Sequence, residues 1–462
     1  MTSCSKSFIE KAPQDALVSN QAITNKATLE NALNGAYAEL RALGCYGRDW
    51  PVIGDVQADN EFIESRNAGR YLAQYNYSVT VTDGVVTESW VAAYTAIQRA
   101  NQVIDASFTD KTATAAEIAA IKAQAYGIRG LVYFKLVNMF AKPYTVDPNS
   151  LGVPITLHYT PGATPTRNTV SEVYTQIVND LKKGFQDGPA YSDGSHLSKY
   201  AMEGLLARAY LYMGSNTLAK AAAVDVINNS EFSLVEPEKY GALFANPAVK
   251  TDAVEIMFEV DADAIDNLSS DDLGAMFLNG YQDIYASRQL VALYSPTDAR
   301  RDVLLTGQTT KSGAPNTTII LKYPNTASVD KDNIKVIRLA EVYLIAAEAS
   351  LPGNEADARG YLNDLMSMRD PAFAGYASTG AQLLSDIVQE RRKELAFEGD
   401  RFYDMNRLKL PIARSTNGGA IAAGPSNVNL NIPFPDNRRV APIPQQEIQS
   451  NPKIATQQNP GY

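Results

Sequence analysis

Apolar residues recur at steps of three and four over long stretches of the chain, the spacing of one face of an α-helix. Leu29, Leu33, Ala36, Tyr37 and Leu40 form one stripe, and Trp90, Tyr94, Ile97, Asn101 and Ile104 a second. Ile118, Ile121, Ala125, Ile128, Val132 and Leu136 form a third, and Val173, Ile177 and Leu181 a fourth after Thr169, whose hydroxyl suits an N-cap. The same spacing predicts helices at about 197–214, 217–229, 335–351, 355–369, 381–396 and 399–409.

Two of these helix pairs share small residues at matching offsets. Leu206, Ala207, Tyr210, Gly214 and Ala219 in the first correspond to Ile345, Ala346, Ala349, Gly353 and Ala358 in the second, with Leu362 further on. The pattern partly matches a tetratricopeptide repeat, in which small residues let two helices approach and a glycine permits the turn between them. The fold expected is mostly α, with tetratricopeptide-like helix pairs in an α-α superhelical scaffold, irregular loops and a few short strands.

Two segments depart from the helical pattern. Residues 50–88 carry Pro51, Gly54, Asp55 and Gly69, an alternating stretch from Tyr75 to Thr82 and the turn pair Asp83-Gly84. Residues 236–334 hold a strand-like run from Val254 to Val260, then an Asp-rich run, then tyrosines among scattered Gly and Pro. Long irregular segments inside a rigid frame are where binding sites tend to be built. The organisation expected is a leader or tether over 1–25 and one domain over 26–462. Within it, a helical scaffold spans about 26–235 and 335–409, a ligand-side insert about 236–334, and a wrapping tail 410–462.

Charge and composition narrow the chemistry. With 41 basic and 51 acidic residues the net charge is −10, which argues against the basic face a nucleic-acid binder needs. The most apolar stretch, Leu131 to Phe140, is interrupted by Lys135 and is too short to span a bilayer. Two histidines, His158 and His196, and two cysteines, Cys4 and Cys45, do not make ordinary zinc ligand sets. No other metal or cofactor is expected, although Asp261, Asp263 and Asp266 offer hard oxygens to a structural calcium ion. A solvated acidic loop explains the same run, which lacks the glycine and terminal glutamate of an EF-hand.

No dinucleotide glycine fingerprint, P-loop or His-Glu-x-x-His helix is present, and Ser3-x-x-Lys6 has no partner motifs. The chain is therefore expected not to be an enzyme. Its 25 tyrosines are more suggestive, because a phenol ring offers a flat apolar face with a polar edge, matching the C–H face and hydroxyl rim of a sugar. Asp59, Asn60, Arg66, Arg70, Tyr71, Tyr75 and Tyr77 combine such platforms with polar partners in one irregular segment. Tyr281, Tyr285 and Arg288 do so in the other. Tyrosines at helical spacing, such as Tyr94, Tyr133, Tyr174, Tyr210 and Tyr343, are read as core, as is Trp90; Trp50, ahead of Pro51, is expected to be the more open tryptophan.

Near the start, Thr2-Ser3-Cys4 resembles the cleavage point of a bacterial lipoprotein signal, which would make Cys4 the acylated first residue of a mature protein. A free thiol or a disulfide to Cys45 is the alternative. An acylated cysteine tethers a domain to a membrane surface because each buried methylene contributes about 0.8 kcal/mol.

Three stretches together resemble the SusD/RagB family of outer-membrane nutrient-binding lipoproteins. Arg338-Leu-Ala-Glu-Val-Tyr-Leu-Ile-Ala-Ala-Glu-Ala349 resembles its helix R-L-A-E-x-Y-L-x-x-A-E-A. Ile387-Val-Gln-Glu-Arg-Arg-Lys-Glu-Leu-Ala-Phe-Glu-Gly-Asp-Arg-Phe-Tyr-Asp-Met-Asn-Arg407 resembles its I-x-x-E-R-R-x-E-L-A-F-E-G-x-R-x-x-D-L-x-R. The ending Ala441-Pro-Ile-Pro-Gln-Gln-Glu, with Asn451-Pro and Gln458-Asn-Pro-Gly-Tyr462, resembles its C-terminus. These motifs read as a fold signature: residues 390–409 hold six basic and five acidic side chains, evenly interleaved, as in an ion-paired face locking two helices about Gly399.

The resemblance implies a lipid-anchored, surface-facing outer-membrane protein of the Bacteroides group. It would bind an oligosaccharide or polysaccharide without catalysis and deliver it to a TonB-dependent transporter of the SusC type. The RagB branch implies peptide capture as the alternative, and a scaffold or lid with little ligand affinity of its own is a third reading. Ligand contacts vary between members of the family, so no position is carried over as a known site.

Overall fold

The structure, a computed structural model, describes residues 22–351, 353–417 and 430–462. Its longer helices are α1 (Lys26–Leu40), α2 (Asp49–Val56), α3 (Gly84–Asp105), α4 (Ala115–Phe140), α5 (Val170–Asp187), α6 (Lys199–Tyr212) and α7 (Asn216–Asn229). After the irregular insert come α8 (Leu339–Ala349), α9 (Glu355–Ser367), α10 (Gly380–Glu394) and α11 (Arg401–Arg407). Their starts follow from local chemistry. Thr169 and Glu172 form a capping box at α5, as Thr114 and Glu117 do at α4, each pair satisfying two backbone N–H groups that the first turn leaves open.

The helices stack in sequence: α3 on α1, α4 on α3, α5 on α4, α6 on α5 and α7 on α6. The series then jumps the insert, because α8 packs on α7 and carries α9 and α10. Gly214, at φ +71°, makes the turn from α6 to α7 that an L side chain resists. The fold is thus the mostly helical superhelix expected; its main hydrophobic core takes residues from Leu29 to Ile454, with smaller cores where α8, α9 and α10 meet and around Tyr240 and Phe244.

Strands are few and short. β1 (Glu61–Ile63), β3 (Ile284–Ala286), β5 (Thr317–Ile320) and β4 (Leu304–Gln308) form an antiparallel sheet in that order. β2 (Ile256–Val260) pairs with β6 (Ile334–Arg338), and β7 (Ile412–Ala413) with β8 (Asn431–Ile432). Near the C-terminus the chain is tied to the helical scaffold, where Arg167 Nη1 donates to the Gln457 carbonyl at 2.6 Å and to Asn459 Oδ1 at 2.9 Å.

Several expectations need correcting. The start of the 50–88 segment is not irregular but the buried helix α2. The alternating stretch Tyr75–Thr82 forms no strand, its first residues closing a short helix, Leu72–Asn76. Residues 335–338, expected as the start of a helix, instead belong to β6, and α8 begins only at Leu339. Trp50 is not open: it is buried edge-on against Tyr46, with ring centroids 5.1 Å apart.

The ion-paired face of 390–409 is a buried network. Arg338 meets Glu255 (2.9 Å), Glu394 (2.8 Å) and Glu398 (2.6 Å), and Arg369 meets Glu255 (2.9 Å) and Glu394 (3.0 Å). Arg300 reaches Asp298, Glu390 and Glu394, while Arg208 and Arg391 share Glu341. Burial alone pushes a carboxyl group up, yet Glu394 is held well below its usual range by Arg369, Arg338 and Arg300. Charges out of water are tolerated only when fully paired, so this network fixes how α8, α10 and β6 meet.

Candidate ligand-binding site

The β1-β3-β5-β4 sheet carries the loops that collect most of the exposed polar and aromatic candidates. Phe62 on β1 stands opposite Tyr285 on β3, and their rings stack 5.7 Å apart, tilted by 21°. This anchors the segment beyond β1 against the one preceding β3. The two segments then meet at a cation–π pair, the guanidinium carbon of Arg70 lying 3.3 Å from the centroid of the half-buried Tyr281 ring.

A chain of polar contacts fixes that pair. Arg70 Nη1 lies 3.4 Å from Asp283, and the Tyr281 hydroxyl donates to Asp271 at 2.6 Å. Asp271 also accepts from Arg48 Nη1 at 2.9 Å, and Arg48 Nε donates to the Tyr71 hydroxyl at 2.7 Å. Tyr71 in turn donates to the buried carboxylate of Asp49. The two ends differ electrostatically. The Tyr281 hydrogen bond, assisted by Arg48, lowers the Asp271 carboxyl, whereas burial pushes Asp49 up to about 6. The outer end thus offers a firmly ionised acceptor beside a ring and a cation, the groups a polyhydroxylated ligand engages.

Sequence reasoning placed ten residues here, and the structure divides them. Arg66, exposed at the loop tip, Arg70 and Tyr281 present surface, and exposed Arg288 donates to the carbonyls of Pro315 and Asn316 (2.8 and 3.2 Å). The other six are buried, which takes their faces away from any ligand. Asp59 pairs with Arg401 (2.8 Å) and Arg392 (3.2 Å), and Asn60 donates to Asp55 at 2.8 Å. Tyr71 belongs to the chain above, Tyr75 lies under the Arg414 guanidinium at 4.3 Å, Tyr77 donates to the Gln57 carbonyl and Tyr285 stacks on Phe62. Arg48, Asp271 and Asp283 were missed. Asp271 was visible only as one acid of a run, and Arg48 gave no signal before the pairing was known.

The calcium candidates do not gather. Asp263 caps its own loop by accepting from Ile265 N and Asp266 N, Asp266 pairs with Arg41, and Asp261 gives Arg41 its backbone carbonyl. Among the described residues no group of three or more His, Cys, Asp or Glu side chains is placed to hold a metal ion. Cys45 is buried, and Cys4 lies outside the described residues. No described helix is long and apolar enough to cross a membrane.

Residues 7–211 match the family described as "Starch-binding associating with outer membrane", and residues 279–462 the family described as "SusD family". The SusD-like protein P2 of Formosa agariphila is 28% identical over 99% of this chain and 96% of that protein. A SusD superfamily protein from Bacteroides thetaiotaomicron superposes with a TM-score of 0.86 at 30% identity, covering 95% of this chain and all of the other. A putative sugar binding protein from Bacteroides vulgatus gives 0.85 at 28% identity, over 96% of this chain and 99% of that one.

Proposed function

This chain belongs to the SusD/RagB family, and from that premise we propose that it captures an oligosaccharide or polysaccharide on the cell surface without cleaving it. The Arg70–Tyr281 pair carries the reading: a half-buried ring held flat by a cation, flanked by Asp271 and Asp283, is a platform with hydrogen-bonding edges. A relative described as a putative sugar binding protein, similar over nearly its whole length, supports the same ligand class.

Delivery to a SusC-like TonB-dependent transporter is the further step we propose, with Cys4 as the lipid anchor and residues 1–25 as the tether of a single domain over 26–462. A tether raises the effective concentration of the domain over the pore without any new contact. Capture alone serves uptake, so no catalytic group is required.

A second reading, peptide capture, draws on one observation: β4 is an outer strand of its sheet and Leu305, Thr306 and Gly307 on it are exposed. An extended peptide can add to such an edge. Titration of the protein with separate glycan and peptide panels, followed by mass spectrometry of each mixture, tests both. Saturable glycan binding that weakens in Tyr281→Ala, with no cleavage products, is the expected result. Binding of peptides alone sinks the glycan reading, and turnover of any ligand sinks capture.

A further inference from the structure

A cavity of about 480 Å³ opens between the 142–151 segment and the C-terminal tail, sharing no residue with the sheet-side site. Its volume falls in the range of small-molecule sites. Pro143, Val146, Leu151, Phe434, Val440 and Pro460 make its walls mostly apolar. One lining residue does not fit an apolar pocket. Arg439 is almost wholly buried, with its guanidinium carbon 5.0 Å from the Phe434 ring centroid. Its Nε donates to Asn406 Oδ1 at 2.7 Å, and its Nη1 to the carbonyls of Leu410 (2.8 Å) and Pro433 (3.2 Å). Nη2 finds no acceptor among the described residues.

Among the described residues Arg439 also lacks an ion pair, unlike the arginines of the buried network. Asp436 is the one acid among the described lining residues, and Arg438 occupies both of its oxygens: Oδ1 accepts from the backbone N and Nε, Oδ2 from Nη2. A second cation, Lys142, lines the cavity and reaches Asp147 only at 3.8 Å, both side chains being exposed. In a chain of net charge −10, this apolar cavity is therefore lined by two cations and no uncommitted acid. Buried charge is stable when paired and costly when not, so the missing element is an anion with an apolar body.

We propose that this cavity is a second binding site, for a small carboxylic acid carrying an aromatic or branched apolar group. The carboxylate gives Lys142 and the buried Arg439 guanidinium their counter-charge, while the apolar body lies against Phe434, Val146 and Leu151.

Calorimetric titration of the full chain with benzoate, 4-phenylbutyrate and 4-methylpentanoate tests the proposal. Benzamide supplies the body without the charge, and acetate the charge without the body. At least one of the three acids is expected to bind saturably, benzamide and acetate about tenfold or more weaker. Val146→Trp, which fills the cavity from a partly exposed position, is expected to weaken the acid by about tenfold or more, and Arg439→Gln likewise. If Arg439→Gln does not fold, Val146→Trp still decides. No saturable binding of any of the three acids, equal affinity for the neutral amide, or undiminished binding by Val146→Trp overturns it.

Discussion

Arg338 and Glu394 meet at 2.8 Å with neither side chain reaching solvent, and each is also held by other partners, Arg338 by Glu255 and Glu398, Glu394 by Arg300 and Arg369. The two residues come from separate signature stretches, so those stretches are complementary halves of one electrostatic lock. Removing one partner leaves buried charge uncompensated, which costs about 3–5 kcal/mol. Arg338→Met is therefore expected to lower the free energy of unfolding by about that amount in urea titrations. A loss below about 1 kcal/mol would mean that the network adds specificity and little stability.

Gly54 and Gly399 form a second lock. A Cβ on Gly54 would stand 1.9 Å from the Gly399 carbonyl oxygen, and Gly399, at φ +82°, would press a Cβ to 2.5 Å from the Pro51 Cα. The Gly399 N–H donates to the buried Asp55 carboxylate at 2.7 Å, so no neighbour can give way without breaking that bond. Gly399→Ala combines backbone strain with a clash and is expected to cost about 3 kcal/mol or more. Gly360→Ala, with open space around it, should leave the melting temperature unchanged or slightly raised.

How much of this was legible depended on range. The helical stripes and the Thr169 cap were read correctly because a period of three to four residues and a capping box are local. Helix α2 was missed because Pro51 and Gly54 look like loop residues. Yet Pro51 sits in the first turn, where its absent N–H has no intrahelical partner to lose, and Gly54 answers a contact made by Gly399 far along the chain. The tyrosines of 71–77 were taken for platforms on composition alone. Their burial is decided by Asp49, Arg414 and the Gln57 carbonyl, which no spacing rule connects to them. Tyr281 and Arg70 were singled out as residue types in irregular segments, but that they stack became visible only once β1 and β3 were paired.

Several buried carboxyls sit above their ordinary range, burial being the largest cause in each: Asp55 at about 7, Asp49 and Asp332 at about 6, and Glu203 at about 8. Each keeps its proton in the folded chain at a pH where the unfolded chain has released it. Their contribution to stability is complete below about pH 4 and is lost as pH rises through the folded values, each group adding a slope of about 1 kcal/mol per pH unit. Stability measured by denaturant titration is expected to fall between pH 5 and pH 8, and Asp55→Asn to flatten the part below about pH 7. A rise across that interval in the parent protein would contradict the assignment.

The division of the tyrosines into half-buried and fully buried makes the last prediction the sharpest. With Arg70 over one face of Tyr281, removing either partner disturbs both the platform and its orientation, so Arg70→Ala and Tyr281→Ala should each weaken ligand binding by about tenfold. The double variant should lose less than the sum of the two, because each single change already breaks the pair. Tyr75→Phe removes a buried hydroxyl that has no hydrogen-bond partner among the described residues and should leave affinity unaltered. Tyr281→Phe separates the parts of the site: it keeps the ring under Arg70 but cuts the link to Asp271. A loss there close to that of the alanine variant would assign the recognition to the Asp271–Arg48 chain, and a near-parent affinity would assign it to the stacked ring.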